Sequence, residues 1–186
     1  VNVPDRFNFA YDVVDGWAEL DKNKPALLYC DDFGTRRIYT FDDLRLLSNK
    51  AANFFMSNGI KKGDRVMLML KQRAEAWICI LALCKIGAVC IPATFQLTTK
   101  DIVYRCNAAH IKMIVAVDDE QIIKSICEAQ SDCKNLESVA IVGERIPEGF
   151  VDFRNTYSDF STYDSLPTST PKSPLFSGLS KKSDSF

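Results

Sequence analysis

The sequence predicts an α/β fold in which a layered, mostly parallel sheet is flanked by helices. From residue 60 onward, apolar runs of strand length alternate with helical patterns across short loops. This alternation is typical of parallel strands that are joined by crossover helices. Residues 66–70 (VMLML) are also continuously apolar, as expected of a strand that is buried on both faces.

The segment before this alternation predicts a helix followed by a hairpin. Residues 8–20 have an amphipathic helical pattern, because large apolar side chains recur there at helical spacing: Phe9, Val13, Trp17 and Leu20. Residues 26–30 and 37–39 are predicted strands. The acidic, glycine-containing segment 31–34 between them predicts the hairpin turn.

Two threonine–aspartate pairs mark the starts of predicted helices. Thr40 with Asp43 and Thr98 with Asp101 have the spacing of a capping box, in which the threonine oxygen accepts a free backbone N–H of the first turn. The first of these helices is predicted to end at Gly59, because glycine readily adopts the left-handed cap conformation. The remaining predicted elements are strand 66–70, helix 74–86, strand 88–91, a helix from Thr98 to Asn107, strand 111–117, helix 120–129 and strand 139–142.

The composition changes near residue 150. Residues 1–150 are predicted to form one α/β subdomain. Residues 151–186 are rich in serine, threonine and proline and carry no apolar period. This part is predicted to be an extended tail or the truncated edge of a following subdomain.

Charge and hydropathy argue against two classes of partner. The chain has 23 Lys and Arg against 24 Asp and Glu, a net charge of -1, so it offers no basic surface to nucleic acid or to an anionic membrane. The longest apolar run, residues 76–84, is far shorter than the about 20 residues that a spanning helix needs. The N-terminus has no apolar signal segment, so we expect a cytoplasmic protein.

No set of side chains in the sequence predicts catalysis or metal binding. The seven cysteines have no C-x-x-C spacing and are interpreted as small buried hydrophobic residues in a reducing cytosol. His110, the only histidine, is interpreted as a surface or capping residue. No glycine-rich phosphate loop is present. Paired acids are interpreted as turn and helix-start residues: Asp31 with Asp32, Asp42 with Asp43, and Asp118 with Asp119.

Four segments, in order, resemble the AMP-forming acyl-CoA synthetases. They are residues 39–53, which contain YTFDDL and SNKAAN, residues 59–66 (GIKKGDRV), residues 85–94 (KIGAVCIPAT) and residues 96–105 (QLTTKDIVYR). The QLT form and the opening segment 7–12 (FNFAYD) look most like the acetyl- and medium-chain branch. The resemblance covers residues 7–142.

The resemblance implies the N-terminal subdomain of the acyl-adenylate-forming fold and a two-step reaction. ATP and a short- or medium-chain carboxylate give an acyl-adenylate and pyrophosphate with the help of Mg²⁺, and the CoA thiol then displaces AMP. The family's phosphate loop, adenine-binding motif and catalytic lysine have no match in these residues. We therefore expect the 186-residue chain alone to be inactive and assign it no catalytic residue and no metal ligand.

One ligand contact follows from the resemblance. Gln96 occupies the position of a glutamine that lies near the CoA pantetheine in the resembled branch, although Gln96 as a cap of the helix at Thr98 is an equal alternative. Trp77 and Phe95 are interpreted as core residues, with an acyl pocket as their alternative.

Two other functions stay open. In the first, the complete enzyme loads acids onto a carrier protein instead of CoA. In the second, the chain is a stand-alone, non-catalytic α/β binding or regulatory module. A homo-oligomer is also expected, because a truncated α/β domain leaves apolar surface uncovered.

Overall fold

The computed structural model describes residues 7–160, which form a parallel sheet covered by helices and a separate antiparallel hairpin. The strands are β1 (Pro25–Cys30), β2 (Arg36–Thr40), β3 (Arg65–Met69), β4 (Val89–Pro92), β5 (Ile111–Val117), β6 (Ser138–Val142) and β7 (Val151–Asp152). The helices are α1 (Gly16–Leu20), α2 (Phe41–Ser57), α3 (Ala74–Ile86), α4 (Thr99–Ala108), α5 (Glu120–Ala129) and α6 (Phe153–Asp159). The predicted α/β class is confirmed.

The sheet has the strand order β4-β3-β5-β6-β7, and every neighbouring pair is parallel. The inner strands are almost wholly buried, as the apolar run of residues 66–70 predicts. Helix α2 packs on α3, and α4 packs on α5. The hairpin of β1 and β2 is antiparallel, which confirms its prediction.

Both predicted capping boxes are present and fix the starts of α2 and α4. The Asp43 backbone N–H donates to Thr40 Oγ1 at 3.1 Å, and the Thr40 N–H donates to Asp43 Oδ2 at 2.8 Å. Thr98 and Asp101 make the same exchange. Local sequence therefore sets where these helices begin.

The N-terminal helix has a different buried face from the predicted one. It starts with a π-helical segment, Ala10–Asp15, and buries Ala10, Val14 and Ala18, whereas Phe9, Trp17 and Leu20 are exposed. The small buried side chains let this segment pack closely on α2 and α3. The predicted helix is thus confirmed but its predicted apolar face is wrong.

A buried lysine joins this N-terminal segment to α2 and α3. The Lys85 side chain is 0% exposed, and its ammonium lies 2.9 Å from Asp15 Oδ1. It also donates to Asn49 Oδ1 at 2.7 Å and to the Arg45 carbonyl oxygen at 3.4 Å. Because a buried charge is costly unless it is paired and hydrogen-bonded, these contacts are what permit Lys85 at this place.

The fold continues beyond the predicted subdomain boundary at residue 150. Strand β7 pairs with β6, and Phe153 at the start of α6 is fully buried against Phe54. The Lys50 ammonium also donates to the Ser158 carbonyl oxygen at 2.8 Å. The boundary at 150 therefore falls inside the packed structure, and the predicted tail after residue 160 lies outside the described residues.

The prediction that the cysteines are buried is only partly correct. All seven cysteines are free thiols. Cys79, Cys106 and Cys133 are buried, and desolvation raises the pKa of the Cys106 thiol to about 12. Cys30, Cys84 and Cys127 are exposed. The prediction of burial fails for these three because an apolar stretch of sequence does not reveal which side of the element faces the core.

The single histidine lies on the surface, as predicted. His110 follows α4 with a φ of 49°, and its Nδ1 lies 3.0 Å from Asn135 Oδ1. Within residues 7–160, no group of three or more His, Cys, Asp or Glu side chains is arranged to hold a metal ion. In the same range, no helix combines the length and the apolar character that crossing a membrane requires.

Candidate functional site

The loops at the carboxyl ends of the parallel strands form the candidate site. They follow β3 (residues 70–73), β4 (residues 93–98), β5 (residues 118–119) and β6 (residues 143–147), and are called the carboxyl edge below. Strand β4 lies on one side of β3 and β5 on the other. The connection from β3 to β4 therefore runs one way along the sheet, and the connection from β4 to β5 runs back past β3. In open α/β sheets, ligands bind outside the carboxyl ends of the strands at such a point.

Lys71 lies at the centre of the carboxyl edge. Its ammonium is 2.7 Å from Asp119 Oδ2 and 4.9 Å from the ring centroid of Phe95. The other Asp119 oxygen caps α5 by accepting the backbone N–H groups of Gln121 and Ile122. The hydrogen bond from Lys71 holds the pKa of the Asp119 carboxyl below its usual value. Asp119 is therefore a charged link between the β3 and β5 ends.

Asp118 ties the β5 end to the β6 end. Its Oδ2 accepts the Glu144 backbone N–H at 2.9 Å, and its carbonyl oxygen accepts a hydrogen bond from the Arg145 guanidinium at 2.9 Å. Arg73 lies 3.5 Å from Asp118 Oδ1. A Cβ atom at position 143 would overlap Asp118 Cγ, so this close approach requires Gly143. The interpretation of Asp118 and Asp119 as structural turn residues is confirmed.

The carboxyl edge contains two neighbouring cavities of different polarity. One, of about 470 Å³, is polar, and its lining includes Lys71, Arg73, Asp118, Asp119 and Arg145. The other, of about 270 Å³, is mainly apolar, and its lining includes Leu68, Leu70, Ile80, Pro92 and Phe95. Lys71 lines both. The edge thus offers a charged compartment beside an apolar one.

Gln96 is exposed in the loop after β4. Its backbone N–H lies 3.3 Å from Thr94 Oγ1. The next helix is capped by Thr98 and Asp101, so the alternative that Gln96 caps α4 is wrong. Gln96 directly follows Phe95, which lines the apolar cavity.

Trp77 and Phe95 are surface residues, which corrects their interpretation as core. Trp77 is 56% exposed and Phe95 is 45% exposed. Trp77 lines a further cavity of about 470 Å³ between α3 and β1. Helix α3 is apolar on nearly all sides, so its sequence pattern did not show which face turns away from the sheet.

The sequence interpretation missed the cations of the carboxyl edge. Lys71, Arg73 and Arg145 were not singled out, because Arg145 lies in a different loop from the other two, and only the strand order brings the two loops together. The available signal was that each cation follows a buried apolar strand within a few residues.

Comparison with known proteins identifies the family. The sequence pattern of the family described as "AMP-binding enzyme" matches residues 14–174. The chain belongs to this family. Among its relatives, "Acyl-coenzyme A synthetase ACSM5, mitochondrial" of Rattus norvegicus is 38% identical over 158 residues, which are 82% of this chain and 27% of the relative. "Acyl-coenzyme A synthetase ACSM2B, mitochondrial" of Homo sapiens is 34% identical over 166 residues, 86% of this chain and 28% of the relative.

A solved structure of this family has the same fold. The crystal structure of Brucella canis acyl-CoA synthetase matches with a TM-score of 0.72 and 26% identity, over 87% of this chain and 29% of that one. The resemblance of the sequence to acyl-CoA synthetases is thus confirmed. The chain spans little more than a quarter of the length of the curated relatives it matches.

Proposed function

We propose that the chain is the N-terminal part of an ATP-dependent, AMP-forming acid–CoA ligase that acts on short- or medium-chain carboxylic acids, including acetate. The observation that carries this proposal is the 38% identity, over 158 residues, to a protein named as an acyl-coenzyme A synthetase. Joining the carboxylate to AMP creates a good leaving group, which the CoA thiol then displaces. The protein must orient the reactants, stabilise the developing charge and keep water away from the mixed anhydride.

Gln96 is the residue proposed to contact CoA. Gln96 is exposed, and its side-chain amide both donates and accepts hydrogen bonds, as contact with the amide groups of pantetheine requires. Mg²⁺, which would offset the phosphate charge of ATP, is held in nucleotide sites by one or two carboxylates together with the phosphates, and residues 7–160 contain no group of three or more His, Cys, Asp or Glu that would form a metal site of its own. No residue of this part is therefore assigned to Mg²⁺ or to the ATP phosphates.

The intact gene product is expected to release pyrophosphate from ATP and to form AMP and an acyl-CoA with acetate or butyrate. The 186-residue chain alone is expected to release none above the rate without enzyme, since no catalytic residue is assigned in it. Coupled pyrophosphate detection with a panel of short and medium acids measures both. An intact product that is inactive with every acid would contradict the ligase and favour the non-catalytic module. Acyl transfer to a carrier protein but not to CoA would favour the carrier-loading enzyme.

Replacing Gln96 by alanine in the intact gene product is expected to raise the KM for CoA about fivefold to tenfold, the size of one lost hydrogen bond. Adenylate formation, followed by ATP–pyrophosphate exchange, should not change, because that step precedes CoA attack. Gln130→Ala, at another exposed glutamine, is the matched control. An unchanged KM for CoA in Gln96→Ala would remove Gln96 from the CoA site.

Cellular location and assembly stay predictions. The free thiols fit a reducing compartment such as the cytoplasm, whereas the relatives described above carry "mitochondrial" in their names. Leu28, Ile38 and Trp77 are exposed apolar side chains, which supports the expected self-association of the chain when nothing else covers them.

A further inference from the structure

Lys71 contacts two other strand ends from the centre of the sheet. Its ammonium lies 2.7 Å from Asp119 Oδ2, at the β5 end. It also lies 4.9 Å from the ring centroid of Phe95, which follows β4. Both contacts are electrostatic attractions to a cation, since the face of an aromatic ring is negative. One side chain therefore holds three strand ends together.

The loop that carries Gln96 is fixed at its ends but exposed in its middle. The Ala93 backbone N–H donates to the Leu68 carbonyl oxygen at 2.9 Å, and Leu97 is buried. Thr94, Phe95 and Gln96 are exposed between these anchors. The contact of Phe95 with Lys71 attaches this middle part to the β3 end.

The backbone of Lys71 has a conformation that is unfavourable for a residue with a side chain. Its φ is 52°, in the left-handed region that glycine adopts without cost and lysine does not. A glycine here would relieve the backbone but would remove the ammonium. The contacts with Asp119 and Phe95 are the compensating interactions that the structure provides.

We propose that Lys71 is a positioning residue for CoA binding: by holding Phe95 and Asp119, it fixes the loop 93–98 and sets the place of Gln96. This inference rests on the proposed contact of Gln96 with CoA. Lys71 itself acts through the loop and forms no bond with the reacting atoms. Its loss is therefore expected to weaken CoA binding and to leave the use of ATP unchanged.

The test uses Lys71→Met in the intact gene product. Methionine keeps an unbranched stem and the same backbone cost but lacks the charge. Backbone hydrogen exchange at Gln96 and Thr98, whose N–H groups donate to Thr94 Oγ1 and Asp101 Oδ2, is expected to accelerate about fivefold. The KM for CoA is expected to rise about as much, as the loss of one cation–π contact and one exposed ion pair predicts. The KM for ATP should stay within about twofold of its original value. Lys71→Arg should restore both properties, because arginine keeps the cation.

Two further variants separate this role from a general loss of structure. Phe95→Leu removes the ring from the opposite side of the contact and should accelerate the same amides. Lys100→Met, at an exposed lysine in the first turn of α4, is the matched control and should change neither measurement.

Each other outcome overturns a defined part of the inference. Unchanged exchange at Gln96 and Thr98 in Lys71→Met contradicts the fixing of the loop, and this measurement needs no catalytic activity. Faster exchange without a rise in the KM for CoA, while Gln96→Ala does raise it, contradicts the positioning role. If Gln96→Ala itself leaves the KM for CoA unchanged, the proposed contact of Gln96 with CoA is wrong. The positioning role of Lys71 is then also wrong, even if the exchange measurement shows that Lys71 fixes the loop.

Discussion

Replacing Asp15 by alanine is expected to lower the free energy of unfolding of the chain by about 3–5 kcal/mol. Asp15 is the carboxylate partner of Lys85, whose side chain is fully buried. Without it, the ammonium loses the carboxylate that lies 2.9 Å away, while its contacts with the neutral oxygens of Asn49 and Arg45 remain. Removing one partner of a buried ion pair costs more than the pair contributed, because the desolvation of lysine remains while its attraction to Asp15 is lost.

Urea denaturation followed by circular dichroism measures this loss. Asp32→Ala, at an exposed turn position, is the matched control and should change stability by less than about 0.5 kcal/mol. The double variant Asp15→Leu with Lys85→Met should recover much of the loss, since it removes both charges. A loss below about 1 kcal/mol in Asp15→Ala would contradict the importance of this pair.

Replacing Phe153 by alanine is expected to cost about 3–5 kcal/mol, the range for large aromatic side chains in a packed core. Phe153 is 0% exposed, and its ring centroid lies 4.8 Å from that of Phe54 in an edge arrangement. Tyr157 stacks on its other side at 4.8 Å, and Phe55 lies at 6.3 Å. Truncation removes these contacts and leaves a cavity between α2 and α6.

The same denaturation experiment compares this variant with Phe33→Ala. Phe33 is 95% exposed in the hairpin turn, so its truncation should change stability by less than about 0.5 kcal/mol. Should Phe153→Ala prove equally mild, residues 151–160 would not belong to the cooperative fold, and the predicted boundary at 150 would hold in energetic terms.

Features that depend on local sequence were predicted well. The bounds 74–86, 111–117 and 120–129 agree with α3, β5 and α5, because local signals mark these elements: Gly87 ends α3, Asp119 caps α5, and residues 111–117 are mostly apolar. Thr40 and Thr98 show this most directly, since each forms its predicted box with an aspartate three residues later.

Features that depend on distant contacts were not predicted. The N-terminal helix buries Ala10 and Val14 because it packs on α2 and α3. The spacing of apolar residues within the helix does not show where those two helices lie. Trp77 is exposed on α3, and because apolar residues lie on nearly all sides of this helix, its sequence did not show which face is buried. In the candidate site, Gln96 was found only through resemblance. Lys71 was not found, because its role depends on which strands are neighbours.

The strand order has a consequence for how the sheet grows during synthesis. Strand β3, the first of the sheet to leave the ribosome, lies inside it, and β4 joins one side while β5, β6 and β7 join the other in succession. Each newly made strand is thus added at a free margin, and none has to be inserted between two that are already paired. Because translation delivers the strands in chain order, the described part of the sheet can be extended strand by strand at its margins as elongation proceeds.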